Sequence, residues 1–458
     1  MSIQRQYAEF AVGLSFDDLP VEVVDHAKKL LVDIIANAIG GYAWMESGEV
    51  VLEATERLNR DNDGATVLAT GERMAPEWAT FANGTMAHSL DYDNHHAKGV
   101  IHAGSSVVTS ALAAAEENAA SGRDLLTAIV VGYEISTRLA MACNPFSSHE
   151  MGFHPTGTCG VFGATALVSK LRGASVEEIE NALGINGSQA SGSMQYDLNG
   201  AWNKRSHPGF ATHSAFIAAT LASEGFLGSA EVIEGEDGFL RGYSLRPKME
   251  RATEGLGESW ETLEVAIKPF PLCRYTHMTI DQLVGLANEE NLDPASVESI
   301  HIELPTYGVN LVGSPIEQKR NPTSAVEAQF SAPFAAALAL THRAAGMDLF
   351  RSVVDARVPD EMRRLMSLTT VESASDLDAL HPELWPGRAT LIAAGKEHTR
   401  YGEHIKGEKE NPMSWDEVAA KLTELSPKHG HAARQSVVDV ARNLENRTVD
   451  DLLQRLRG

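Results

Sequence analysis

Apolar side chains recur along most of this chain at steps of three and four, the period of a helix with one buried face. After Pro20, a residue suited to the first turn of a helix, Val24, Ala27, Leu31, Ile34 and Ala38 keep that spacing. Gly40-Gly41 is expected to stop the helix there. Residues 1–80 read as helical. The run from Leu125 to Ala142 is apolar nearly all round, which predicts a helix buried in the middle of a bundle. Serine or threonine with an acid three places later precedes apolar runs at Ser121/Asp124, Ser175/Glu178, Ser414/Glu417 and Thr448/Asp451, the mark of a capped helix start. The character changes near residue 262. In SIHIELP, Ile300, Ile302 and Leu304 face one way and His301 and Glu303 the other, and RATLIAAG near 388–395 is a second strand candidate. Helical patterns lie between them at 323–343 and 359–366, and from about 398 the chain turns charged and then helical again. The pattern predicts a mainly α protein: a large all-helical domain over 1–267, an inserted α+β lid domain over 268–397, and a helical return over 398–458.

Charge narrows the partners. The chain has 38 basic against 62 acidic residues, a formal net charge of −24, which argues against nucleic acid or an anionic membrane. A small anion is still allowed, because a local cluster of cations can hold one inside an acidic protein. Three cysteines, Cys143, Cys159 and Cys273, cannot form a disulfide framework in a chain of this size, so a reducing compartment is expected. MSIQRQYAEF lacks a basic region followed by an apolar run, and no window approaches 18 uninterrupted apolar residues. The expected location is the cytoplasm.

Five polar knots stand out against this background. The densest is Asn83 to Ser106, NGTMAHSLDYDNHHAKGVIHAGSS, with His88, His95, His96, His102, Asp91, Asp93 and Asn94, followed at once by an Ala-rich helical run. The second, Gly152-Phe153-His154-Pro155-Thr156-Gly157-Thr158, leads into a helix with small residues at 157, 160, 163 and 164 on one side, so another element can approach closely. The third is Trp202 to Gly209, with Lys204, Arg205 and His207 before a small-residue helix. The fourth runs from Lys268 through Arg274 to His277, at the domain border, where ligand clefts commonly form. The fifth, Gln189 to Met194, is a small-residue loop expected to serve packing. Any one of these could be a solvated or capped turn; their recurrence at helix starts, where unpaired N–H groups stabilise anions, favours a shared site. No HExxH, paired CxxC, G-x-G-x-x-G, P-loop or G-x-S-x-G occurs, so zinc, nucleotide and serine-hydrolase chemistry find no support in motifs.

At these knots the sequence resembles the MmgE/PrpD family, that of 2-methylcitrate dehydratase, which also includes cis-aconitate decarboxylase and an iminodisuccinate epimerase. The resemblance rests on the early helix ending in Ala-x-x-Gly-Gly, NGTMAHSLDYDN, GFHPTGTCGVFGA, KRSHPG, KPFPLCRYTH and NPMSWDEVAAK, in that order over most of the chain. It implies a homodimer whose subunit carries a helical domain and a smaller α+β lid with the active site between them, acting on di- and tricarboxylates without metal or organic cofactor. Carried over by position, the active-site pattern falls on Asp91, His102, His154, Lys204 and Lys268. The chain departs from the family where an Asp-Asp pair is usual, here Asp93-Asn94. It departs again at His-Pro-Ser/Gly, here His102-Ala103-Gly104, and His95 stands where some members have a hydroxyl.

The chemistry agrees. Taking a proton beside a carboxylate, or losing CO2 beside one, builds negative charge on an anionic substrate, which fixed cations and helix N-termini can stabilise. Histidine suits proton transfer because its ordinary pKa of about 6.5 lies near working pH. His102 and His154 are assigned as the acid/base pair, with Asp91 orienting a histidine and Lys204 and Lys268 gripping carboxylates. His95, Thr156, Arg205, His207, Arg274 and His277 complete the substrate-binding set. The leading expectation is dehydration of a 2-methylcitrate-type acid, with decarboxylation or epimerisation as close alternatives. More remote alternatives are a metallohydrolase on Asp91, His95 and His102 and a non-enzymatic helical binding protein.

Overall fold

A computed structural model describes residues 1–458 apart from Asn199, Ala356, His429 and Gly458, and apart from the side chains of Asp197, Leu198 and His431. The chain is mainly α and divides into two units, Met1–Ala266 with Ser414–Gly458, and Ile267–Met413.

In the first unit the helix Gly122–Ala142 is buried over almost its whole length, as its all-round apolar pattern predicts. Among the described residues it is the one helix long and apolar enough to cross a membrane, and all of that stretch is buried inside the protein. Its interior charges are matched locally. Arg138 Nε donates to Glu134, one turn back, at 3.1 Å, and Glu134 also accepts from the Thr262 N–H and hydroxyl at 2.8 and 2.7 Å. Capping boxes form at Ser121/Asp124, Ser175/Glu178 and Ser414/Glu417, and Thr448 and Asp451 exchange the same pair of bonds.

The first long helix, Val21–Trp44, runs through Gly40 and Gly41 instead of stopping there. A Cβ on Gly41 would lie 1.9 Å from the carbonyl oxygen of Met86, on the helix Pro76–Ala87, so this glycine serves a close crossing of two backbones. The small residues of the helix Gly160–Leu171 act alike: a Cβ on Gly163 would fall 2.0 Å from the Ser136 hydroxyl. Two short ribbons interrupt the helices. β1 (Ala65–Thr66) pairs with β2 (Arg73–Met74), and β3 (His95–His96) pairs with β4 (Val265–Ala266), both antiparallel.

The second unit holds a four-stranded sheet of order β6 (Thr369–Ser373), β5 (Val297–Leu304), β7 (Gly387–Ala393), β8 (Lys396–Gly402), with β5 and β6 parallel and the other pairs antiparallel. Ile300, Ile302 and Leu304 are buried and His301 and Glu303 half-buried, following the alternation in the sequence. Helices Arg274–Glu289 and Ala332–His342 also belong to this unit. The return to the first unit comes at Ser414, later than the 398 expected from charge. The reason is β8, a polar edge strand joined to β7 by a two-residue turn at Ala394 and Gly395, both with positive φ (49° and 73°).

Candidate active site

The helix Pro76–Ala87 ends at His88 and the next long helix begins at Gly104, and the intervening loop is almost wholly buried. A buried loop must find partners for its polar groups. Much of that support comes from two charged residues not singled out in the sequence. Asp33, within the apolar run of the first long helix, accepts from the Asn94 backbone and side-chain N–H groups, each at 3.1 Å. Lys421, on the return helix Trp415–Leu425, lies 2.6 Å from Asp33, donates to the Tyr92 carbonyl at 2.7 Å and sits 3.7 Å from the centre of the Tyr92 ring. Burial pushes the Asp33 carboxyl up and Lys421 only partly offsets it. The sequence signal was available: Asp33 is a lone acid inside the otherwise apolar run Leu30, Leu31, Val32, Ile34 and Ile35. Asn94 also accepts from the Tyr133 hydroxyl at 3.1 Å. A carboxylate in its place would face Asp33, so the departure from an Asp-Asp pair matches its surroundings.

His96 belongs to this scaffold. Its Nδ1 accepts from the Gly99 N–H at 3.1 Å, so its Nε2 carries the proton and donates to Glu261 at 3.0 Å. Burial alone would raise Glu261, but this bond together with the charges of His96, Lys98 and Arg138 outweighs it and holds the carboxyl at about 2.

The remaining side chains build a histidine array. Asp93, fully buried, accepts at Oδ2 from His88 Nδ1 at 2.8 Å and from the Ser105 hydroxyl at 2.5 Å. His102 Nδ1 lies 3.3 Å from Asp93 Oδ1 and from the Asp93 carbonyl oxygen, and the His102 N–H donates to Thr156 Oγ1 at 3.1 Å. Burial pushes Asp93 up, yet the two imidazoles outweigh it and hold the carboxyl well below the usual range. Burial keeps His88 below its usual value, so a neutral ring donates to a carboxylate. The His88 ring centre is 5.0 Å from that of His102 and 5.7 Å from that of His154, the latter stacked at 23°. His95 packs its ring 5.2 Å from His102.

His154 precedes the turn Pro155–Thr158, its N–H donating to the Gly192 carbonyl at 2.8 Å, and His207 lies in the first turns of the helix Asn203–Ser223. Their Nδ1 atoms are 2.9 Å apart. Burial, then the neighbouring charges of His88 and Lys204, lower His207 to about 4, and burial followed by His207 holds His154 well below its usual value. Two neutral imidazoles joined through Nδ1 must differ in tautomer. The donor keeps a lone pair on Nε2, and the acceptor carries its proton there. The pair therefore presents one acid and one base. Beside it a cavity of about 380 Å³ is lined by Ser191, Tyr196, Asn203, His207 and Phe210. The Gln189–Met194 loop, expected to serve packing, does pack, since a Cβ on Gly157 would lie 2.3 Å from the Ser191 oxygen, but it also walls this cavity and anchors His154.

Lys204 forms a mostly buried ion pair with Asp91, and its charge acts on His88, His154 and His207. A cation in the first turn of a helix is placed against the dipole, and the Asp91 carboxylate offsets that here. Asp91 has φ 50°, the left-handed region, which breaks the regular spacing of the loop. The residue that holds two histidines is accordingly Asp93, His88 by its carboxylate and His102 by its carbonyl, two residues beyond the one chosen from the sequence. Arg205 donates to the Ser47 hydroxyl at 2.8 Å. Lys268, Arg274 and His277 belong to the second unit. Lys268 is buried, Arg274 pairs with Glu408, and His277 Nε2 donates to the Leu272 carbonyl at 2.9 Å.

Donor atoms of His88, Asp93 and His102 lie within 4.8 Å of one another, close enough to be tested as a metal site. Their separations fit hydrogen bonds, and Asp93 is already bonded to His88 and Ser105. The set offered by the sequence for a metal, Asp91 with His95 and His102, is not the one that converges, because Asp91 pairs with Lys204.

Residues 5–252 match the MmgE/PrpD N-terminal domain and residues 270–446 the MmgE/PrpD C-terminal domain. A cis-aconitate decarboxylase of Aspergillus terreus is 28% identical over 93% of this chain and 89% of its own length. The human cis-aconitate decarboxylase is 26% identical over 97% of this chain and 92% of its own.

Proposed function

From the premise that the chain belongs to the MmgE/PrpD family, we propose that it is a lyase that decarboxylates an unsaturated tricarboxylate of the cis-aconitate type. The observation that carries this reading is the convergence of His102 and His154 through His88, with Lys204 beside them. His102 and His154 each keep Nδ1 on a protein group, and neither Nε2 has a hydrogen-bond partner among the described residues. In the proposed step the C–C bond to one carboxylate breaks and CO2 leaves. Its electron pair moves through the double bond, and the far carbon takes a proton from the Nε2–H that His154 carries when its Nδ1 accepts from His207. Lys204 exchanges Asp91 for a substrate carboxylate and stabilises the charge that develops. The donor histidine recovers its proton from water.

Dehydration of a 2-methylcitrate-type acid is the second reading, favoured by one feature. The His154–His207 pair offers one proton acceptor and one donor, and loss of water needs both, one for the C–H and one for the departing hydroxyl. The test is to incubate the protein with cis-aconitate, citrate and 2-methylcitrate in D2O and follow products by NMR. Evolved CO2 with deuterium on one product carbon supports decarboxylation; an alkene without CO2 supports dehydration. No turnover of any polycarboxylate overturns both.

A further inference from the structure

The sequence-based assignment used neither His88 nor Asp93, yet the array is built around them. We propose that Asp93 and His88 are the positioning pair of this active site: Asp93 fixes the tautomer of His88 through its carboxylate and that of His102 through its backbone carbonyl, with the carboxylate charge beside it, leaving the Nε2 of His102 for the reaction and laying His88 against His154. The inference rests on the acid/base reading above and adds to it Asp93 and the positioning role of His88.

Each contact has a direction. The ionised Asp93 carboxylate can only accept, so His88 Nδ1 carries a proton, and His102 Nδ1 carries one as well because it faces the Asp93 carbonyl oxygen, with Oδ1 also 3.3 Å away. In a neutral ring that places the lone pair on Nε2. Ser105, in the first turn of the helix Gly104–Glu117, spends its hydroxyl proton on Asp93 Oδ2 and so locks the carboxylate against rotation. The Nε2 of His88 is buried with no hydrogen-bond partner among the described residues. An unpaired buried polar atom of this kind is costly, and native proteins keep few of them. Here it belongs to the ring that lies between His102 and His154, with centre distances of 5.0 and 5.7 Å. A carboxylate behind an imidazole also steadies the imidazolium that forms when the ring takes a proton, without itself becoming protonated. His88 and Asp93 need not touch the substrate to do this; they act through His102 and His154.

The test uses the full chain and the substrate found active in the product screen. In the unaltered protein, nitrogen-15 NMR of the imidazoles should show His88 and His102 protonated at Nδ1. Asp93→Asn keeps the shape but removes the charge and turns one acceptor into a donor. It should perturb the His88 Nδ1–H signature, shift the His102 signals and lower kcat about a hundredfold or more, with KM within about threefold. His88→Asn, which leaves the Asp93–Ser105 bond in place, should lower kcat about tenfold and shift the His154 signals. An Nε2–H tautomer at either His88 or His102 in the unaltered protein overturns the proposal, as does an Asp93→Asn protein with unchanged kcat. Should Asp93→Asn fail to fold, His88→Asn with unchanged kcat and unmoved His154 signals overturns it as well. The NMR arm needs no turnover, so it decides this proposal even where the product screen is empty.

Discussion

Lys421→Met tests the clamp beneath the site. The ammonium lies 2.6 Å from Asp33, donates to the Tyr92 carbonyl at 2.7 Å, and is almost fully buried. At an effective dielectric constant of about 20 the gross attraction at that distance is about 6 kcal/mol, most of it offset by desolvation of the two charges. Removing one partner is different, because it leaves Asp33 buried and unpaired, and the expected loss is about 3–5 kcal/mol at pH 8. The sign of the pH dependence follows from Asp33. Its folded-state pKa is already raised by burial, and without Lys421 it rises further, so the carboxyl gains a proton as pH falls and the penalty shrinks. The stability deficit of Lys421→Met should therefore be largest at pH 8 and should narrow toward pH 5. Urea unfolding followed by circular dichroism at both pH values measures this, and adding Asp33→Asn to Lys421→Met should recover about 2 kcal/mol or more at pH 8. Tyr92 and Asn94 flank Asp93, so kcat should fall in Lys421→Met as well. A loss below about 1 kcal/mol with no pH dependence would refute the clamp.

Gly41→Ala should destabilise the protein by about 1–3 kcal/mol despite alanine's better helix propensity, because the new Cβ meets a backbone carbonyl. Gly40→Ala meets only Leu90 and Leu425 side chains and should cost less in the same denaturation assay. His207, lowered to about 4, is neutral when folded and must gain a proton in acid, so its contribution is full above pH 6.5 and is lost as pH falls toward 4. His207→Gln should flatten that limb of the stability curve by up to about 3 kcal/mol, read from unfolding midpoints across the window. Lys204→Met should raise KM for a polycarboxylate at least about tenfold in steady-state assays, and a KM unchanged within error would remove Lys204 from substrate binding.

Helices with a strong period, such as Gly122–Ala142, were legible because a burial pattern is written directly in residue order. Gly40-Gly41 misled because order shows a glycine's freedom and not what packs against it: the Met86 backbone at Gly41, and the Leu90 and Leu425 side chains at Gly40. The strand β8 was missed because KEHTRYG is an edge strand with little besides His398 turned inward. In the site, the residue types of the Asn83–Ser106 stretch pointed to proton chemistry, but not to the partners. Asp91 and Asp93 look equivalent in sequence; beside the left-handed turn at Asp91, one carboxylate pairs with Lys204 and the other with His88 and Ser105. Asp33 and Lys421 come from opposite ends of the chain, and no local spacing joins them.

The most direct test of the account is a crystal structure with a slowly reacting tricarboxylate bound. Such a structure should show a carboxylate on Lys204 in place of Asp91, and Nε2 of His102 and of His154 or His207 within about 3 Å of reacting atoms. A ligand bound away from these histidines, with Lys204 still paired to Asp91, would contradict it.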